Sequence, residues 1–456
     1  MTDSVVLGVA RPRTFFGQPP ALGFLAFTEA WERFSYYGMT SLLVLYMSQA
    51  LFMPEHIGHI AGFAGYRAAL ESVFGKMSTL ALASQTYGLY TGFVYFTPLF
   101  GGWIADRFIG RRNAVVTGAL LMSGGHIAMA FDRSFLLALF LLITGCGLLK
   151  GNISTQVGQL YAEGDAAGRT RGFSIFSMAI NVGAVAGPLT CGLLAQLYGW
   201  HVGFGAAGLL MLFALATYLA GYRYLSETAR RSVQREPLAP LTAPQKRAIA
   251  ALLAVMLITI PHSIAFYQNS NIGFVWVNAH VDRMVAGFEV PTAWFGSALD
   301  SLVSIACVPF LFALWRWQAR HGGEPGEISK IGVGAAMAAC ANLVLVFAAL
   351  LPGRVSPLWF TLYEVILGVA FIWQWPTLLA LTSRIAPARL KSTLMGAAFL
   401  TLFASNMTIG RIGALYERMT PAAFWTLNAA IAATGALLCF LLRKPLTRIF
   451  EEAASP

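Results

Sequence analysis

Ten residues near the amino terminus, EAWERFSYYG (29–38), put two carboxylates, one guanidinium and two phenols into an otherwise apolar stretch. On a helix the spacing i, i+3, i+4 and i+7 places Glu29, Glu32, Arg33 and Tyr36 on one face. Each charge at a bilayer centre costs about 2.5–3.5 kcal/mol on insertion scales, so three within two turns must face partners or a wet cavity. Two carboxylates against one arginine leave an acidic group able to take a proton. The plainer alternative is a charge cluster that only pins helices together.

Other chemistry is poorly supplied. The five cysteines (Cys146, Cys191, Cys307, Cys340 and Cys439) lie in apolar stretches without zinc-type spacing, and they are too few and odd in number for a disulfide framework. His56 and His59, with Glu55 beside them, fall short of the ligands zinc takes, so neither a metal nor a cofactor is expected. His262 is either a group titrating near neutral pH or a hydrogen-bonded membrane histidine. The sequence offers no nucleophile constellation and no phosphate loop, and the chain reads as a protein that is not an enzyme.

The elements that must position the charged face follow from composition. The chain of 456 residues is 57% hydrophobic and 11% charged, against about 25% charged for soluble domains. Lipid must therefore cover much of its surface. Reading for runs of about 20 mostly apolar residues gives twelve between residues 22 and 442. Of the 31 Lys and Arg, only Arg67, Lys76, Arg133, Arg283, Arg354 and Arg418 fall on the side opposite the termini, while Arg33, Lys150 and Arg411 fall within helices. That bias places both termini in the cytoplasm and accounts for the net charge of +11 without nucleic acid. The expected organisation is a tail over 1–20, which lacks a cleavable-signal layout, a six-helix bundle over 21–224 and a charged, proline-rich linker over 225–246. A second bundle over 247–443 and a tail over 444–456 complete it. Residues 51–78 form a long outer connection that can hold a short amphipathic helix.

Several segments resemble known families. GGWIADRFIGRR (101–112), after the second run, resembles the loop signature of the major facilitator superfamily, with Asp106, Arg107 and Arg111 at its cytoplasmic gate positions. EAWERFSYYG matches the ExxERFxYYG pattern of proton-dependent oligopeptide transporters at every defined position. GLLKGNISTQVGQLY (147–161) is similar to that family's fourth-helix segment, with Lys150 at its buried lysine. FSIFSMAINVGA (173–184) is similar to its fifth-helix signature, with Asn181 at the asparagine and Ser177 where a tyrosine is usual. TGFVYFTPLFGG (91–102) supplies Tyr95. The carboxyl-terminal half follows in outline but departs in its charges. Phe371 stands where the tenth helix usually has glutamate, and Tyr267 where an acidic residue often precedes the seventh-helix glutamine, here Gln268. Asp300 stands where the eighth helix usually has asparagine. Glu364, seven residues before Phe371, lies about 10 Å along the helix and cannot take that glutamate's place.

The resemblance implies an all-α membrane protein with twelve transmembrane helices in two six-helix bundles. The short linker leaves no room for the extra central helix pair of many bacterial members. It implies a proton-coupled symporter of the bacterial inner membrane importing di-/tripeptides or peptide-like compounds. Glu29 and Glu32 would carry the proton, and Arg33 and Lys150 would receive the substrate carboxylate and sense protonation. Tyr36, Tyr95 and Asn181 would hydrogen-bond the peptide backbone, joined by Gln268, and Asp300 would face the amine. Trp373, Gln374 and Trp375 either line the cavity or pack against neighbours. The expected partners are a small-molecule substrate, protons and the lipid bilayer. The alternatives are a proton-coupled transporter of a non-peptide solute, or a non-transporting membrane receptor or assembly subunit.

Overall fold

The computed structural model describes residues 14–162, 165–225, 240–387 and 390–454. Most of the expected amino-terminal tail, most of the 225–246 linker and the last two residues lie outside the described residues. Among the described residues, twelve helices of 18 residues or more succeed one another: α1 Pro20–Tyr46, α2 Thr79–Ile104, α3 Arg111–Ala128, α4 Phe135–Gln159, α5 Ala166–Tyr198 and α6 Trp200–Gly221, then α7 Ala243–Tyr267, α8 Ser297–Arg320, α9 Glu327–Ala349, α10 Pro357–Ile385, α11 Lys391–Gly413 and α12 Pro421–Ala454. Nine of these, α4 to α12, are long and apolar enough to cross a membrane. The other three are the more polar ones: α1 carries the charged motif, α2 holds Gln85 with three tyrosines, and α3 opens on Arg111 and Arg112.

Local chemistry sets several boundaries. Ser78 accepts a hydrogen bond from the Ala81 amide at 3.1 Å to start α2, and Thr242 with Gln245 makes a reciprocal capping box that starts α7 four residues earlier than expected. Gly199, at φ 94°, is the single residue between α5 and α6, a left-handed conformation that glycine adopts without strain. Two connections carry small elements: helices Pro54–Ile57 and Phe63–Phe74 between α1 and α2, and a hairpin pairing Met284–Val285 with Phe288–Glu289 between α7 and α8. Helix α12 runs on through Lys444 to Ala454, so the expected carboxyl-terminal tail is largely helical.

In the first half α1 packs on α5 and α6, α4 on α2 and α3, and α3 on α6. In the second half α9 packs on α10 and α12, α7 on α11 and α12, and α8 on α10. Two pairs join the halves, α2 with α11 and α5 with α8. Glycines set the closest approaches. Gly183 and Gly187, spaced as G-x-x-x-G on α5, bring α1 backbone into contact at Ala30 and Phe34, the packing that small residues permit in helices without a hydrophobic driving force. A Cβ at Gly183 would stand 2.8 Å from both the Arg33 Cβ and the Phe34 amide nitrogen. Gly183→Val is therefore expected to push α1 and its charged face off α5 and to lower stability by about 1–3 kcal/mol. Thermal unfolding in detergent checks this, with Gly205→Ala, which meets nothing within 4 Å, as the unaffected control.

Candidate functional site

Helix α1 carries the charged motif inward. Arg33 Nη2 donates to Glu32 Oε1 at 2.6 Å, Arg33 Nε bonds the other Glu32 oxygen, and Glu29 Oε1 lies 3.3 Å from Arg33 Nε. All three side chains are almost fully buried, and the guanidinium stands 5.1 Å from the centre of the Tyr36 ring. The two carboxylates are not equivalent. Glu32 is fully engaged by Arg33 and does not reach a cavity. Glu29 borders one and keeps its Oε2 without a hydrogen-bond partner among the described residues.

That cavity, of about 570 Å³, lies between the halves. One wall holds Glu29, Arg33, Tyr36, Tyr37, Tyr95, Lys150, Ser177 and Asn181; the other holds Tyr267, Asn269, Ser270, Asp300, Phe371, Trp375 and Asn406. Cations and one open carboxylate thus stand opposite a lone aspartate. Lys150 Nζ is 4.8 Å from the Tyr95 ring centre and makes no ion pair among the described residues. The Tyr95 and Tyr267 hydroxyls meet at 3.1 Å, joining α2 to α7. Phe371 stacks on Phe266 with ring centres 5.1 Å apart, so the two departures from the family pattern make an aromatic, uncharged seam. Asp300 packs against Gly368 of α10, and its Oδ1 has no hydrogen-bond partner among the described residues.

Seven expected site residues therefore converge on the cavity: Glu29, Arg33, Tyr36, Tyr95, Lys150, Asn181 and Asp300. Two expected substrate contacts do not. Gln268 is fully buried and donates to the Ile409 carbonyl at 3.1 Å, because the chain leaves α7 through a π-turn at Asn269–Gly273 that rotates it toward α11. Trp373 packs edge-on against Trp315, ring centres 5.5 Å apart, in an apolar cluster with Leu311, while Trp375, two residues on, faces the cavity. Asp106 and Arg111 pair at 2.9 Å across the turn that carries Arg107. Asn269 and Ser270 went unread in the sequence, although the polar run QNSN (268–271) inside an apolar helix is their signal.

One end of the cavity is sealed. Asn271 donates to Ser84 at 2.7 Å, Gln196 to the Glu289 carbonyl at 2.7 Å, and Trp294 to the Leu189 carbonyl at 2.9 Å. Ser78 also bonds Glu417. All of these lie where α1 ends and α2 begins. At the opposite end Ser177, Asn181, Ile305 and Val308 are shared with a wider concavity that continues past Arg169 and Phe173. A broad surface depression at the sealed end, around His59, Asp132 and His201, contains none of these residues. Among the described residues, the cavity between the halves brings Glu29, Arg33, Lys150 and Asp300 together.

The family model described as the POT family matches residues 112–238 and 239–426. The chain is 30% identical over 518 residues to the peptide transporter YePEPT of Yersinia enterocolitica subsp. palearctica, spanning 96% of this chain and 97% of that one. It is 28% identical over 515 residues to a di-/tripeptide transporter of Lactococcus lactis subsp. cremoris, spanning 96% and 98%. Among solved structures, a peptide transporter POT variant in complex with alafosfalin matches with a TM-score of 0.82 at 26% identity, over 96% and 97% of the two chains. With more than half of its length matched by the family model and nearly all of it aligned to these transporters, the chain belongs to the proton-dependent oligopeptide transporter (POT) family of multi-pass membrane transporters.

Proposed function

We propose that this protein is a proton-coupled symporter that imports di-/tripeptides or peptide-like compounds by alternating access. Twelve membrane spans in two six-helix bundles rock about the central cavity, with both termini cytoplasmic in a bacterial inner membrane. One observation carries the reading: a cavity of about 570 Å³, within the usual range for small-molecule sites, with Arg33 and Lys150 on one wall and Asp300 on the other. A zwitterionic peptide presents a carboxylate and an ammonium at its two ends, and these walls match it. The names of the relatives support the cargo, since two are peptide transporters and a third holds alafosfalin. In this orientation the sealed end is the outer one, and the conformation faces inward.

Glu29 is the proton carrier, because it borders the cavity and its second oxygen has no hydrogen-bond partner among the described residues, and Glu32 holds Arg33 in place. Lys150 and Arg33 receive the substrate carboxylate, Tyr36, Tyr95 and Asn181 hydrogen-bond the peptide backbone, and Asp300 faces the amine. Asp106, Arg107 and Arg111 hold the cytoplasmic ends during rocking. A non-peptide cargo is favoured by one feature, the uncharged Tyr267–Phe371 seam. Purified protein in liposomes under a pH gradient, offered labelled dipeptides and unrelated solutes, decides between the two; uptake of neither would remove the transport reading.

Three outcomes follow in the same liposomes. Glu29→Gln is expected to lose gradient-driven uptake, while Glu32→Gln chiefly loosens Arg33 and lowers thermal stability by about 1.5–3 kcal/mol, the usual contribution of a hydrogen bond to a charged group. Equal coupling in Glu29→Gln and the parent would remove Glu29 from the proton path. Lys150→Ala is expected to abolish coupled uptake and Lys150→Arg to restore it only in part, since a planar fork does not replace a point charge. Asp300→Asn is expected to weaken a free dipeptide roughly ten- to hundredfold and an amino-acetylated analogue little; equal losses would show that Asp300 does not read the amine.

A further inference from the structure

The carboxyl-terminal half holds a second buried carboxyl group that none of the roles above uses. Glu364 on α10 is fully buried. Its Oε2 receives a long 3.4 Å contact from the Asn269 amide, and its Oε1 has no partner among the described residues. One turn along the same face stands Gly368, where a Cβ would lie 2.9 Å from Asp300 Oδ1. The missing side chain is what lets the Asp300 carboxyl settle beside the turn that carries Glu364. Asp300 is the charged neighbour that acts on Glu364. The other titratable groups around the two are phenols: Tyr363 on α10, Tyr267 on α7 and Tyr37 on α1. Arg33 and Lys150 act on Glu29 instead, and the helices packed on α10 present no cation to Glu364 among the described residues.

A fully buried carboxyl with one unpaired oxygen and no cation beside it is costly to keep ionised. Breaking or omitting the partner of a buried charge costs several kcal/mol, so the group takes up a proton instead. We infer that Glu364 is held as the neutral acid and is a second proton site, supplying the carboxyl-terminal half with the acid absent at Tyr267 and Phe371. The proton rests on Glu364, away from the cavity, while Asp300 borders it. When Asn269 and the π-turn move as the sealed end opens, Glu364 gains a route to the opposite side through a chain of polar side chains at Ser270, Asn271 and Ser84.

The assignment as a coupled proton site rests on the transport reading above, so the test has one arm that needs no substrate. Infrared spectroscopy of the reconstituted parent protein is expected to show a protonated-carboxyl C=O band at neutral pH that Glu364→Gln lacks. In liposomes loaded for exchange of labelled Ala-Ala, Glu364→Gln is expected to reduce accumulation relative to exchange by about tenfold per unit of pH gradient, the factor carried by one proton. A band unchanged in Glu364→Gln overturns the proton site whether or not Ala-Ala is transported. A band lost with accumulation undiminished overturns its coupling. If the parent moves no Ala-Ala, the peptide reading fails while the band still decides the site. Should Glu364→Gln fail to fold, Asn269→Ala takes its place: loss of the amide at Glu364 is expected to shift the C=O band, and an unshifted band overturns the site.

Discussion

The rest of the structure depends on one expensive arrangement: Glu29, Glu32 and Arg33 buried together on α1. Buried charges are tolerated only when they are paired or border water. Arg33 absorbs Glu32 completely, and Glu29, 3.3 Å from Arg33, borders the cavity with one oxygen left without a partner among the described residues. The G-x-x-x-G ridge of α5 seats the backbone of α1 so closely that the charged face has a fixed aim. Tight packing behind the cluster and an open space in front of it are two halves of one solution.

The two halves of the chain handle charge differently. The first places two carboxylates and two cations at or beside the cavity, with Arg33 paired to both Glu32 and Glu29 and Lys150 over the Tyr95 ring. The second has two carboxyl groups, Asp300 and Glu364, and no cation beside them, with Tyr267 and Phe371 paving the wall between the sets. This asymmetry suits a substrate with a carboxylate at one end and an ammonium at the other. It also moves the acidic function of the second half by two turns along α10 and onto α8, a rearrangement that a π-turn after α7 accommodates by swinging Asn269 toward Glu364.

Among the described residues, the seal at one end rests on side-chain hydrogen bonds, to backbone carbonyls and to other side chains, and on close glycine contacts rather than on ion pairs. Gly88 and Gly410 let α2 and α11 touch, and Gln196, Trp294 and Asn271 each bridge the halves with a single bond. Individual hydrogen bonds of this kind contribute about 0.5–1.5 kcal/mol net. A handful of them holds a conformation that a ligand or a proton can still reverse.

The sequence by itself determined the membrane character, the positions of the long helices and the family to which the first half points. Apolar runs, Lys and Arg bias and the ExxERFxYYG motif are local signals, and helical spacing alone puts Glu29, Arg33 and Tyr36 on one face. Lys150, Asn181 and Asp300 were legible because their segments resemble a known pattern. What only the tertiary structure decided is which way side chains turn at broken or crowded helices. The π-turn at 269–273 carries Gln268 into the seal and brings Asn269 to the cavity, a rotation that no helical periodicity predicts. Trp373 and Trp375 are two residues apart on one helix, and only the position of Trp315 on α8 settles which is packed and which is open. Glu364 read as a carboxylate too far along α10 to matter. Its significance appears once the structure shows it fully buried with Asn269 of the π-turn beside it, because proximity between helices is a property of packing, not of spacing along the chain.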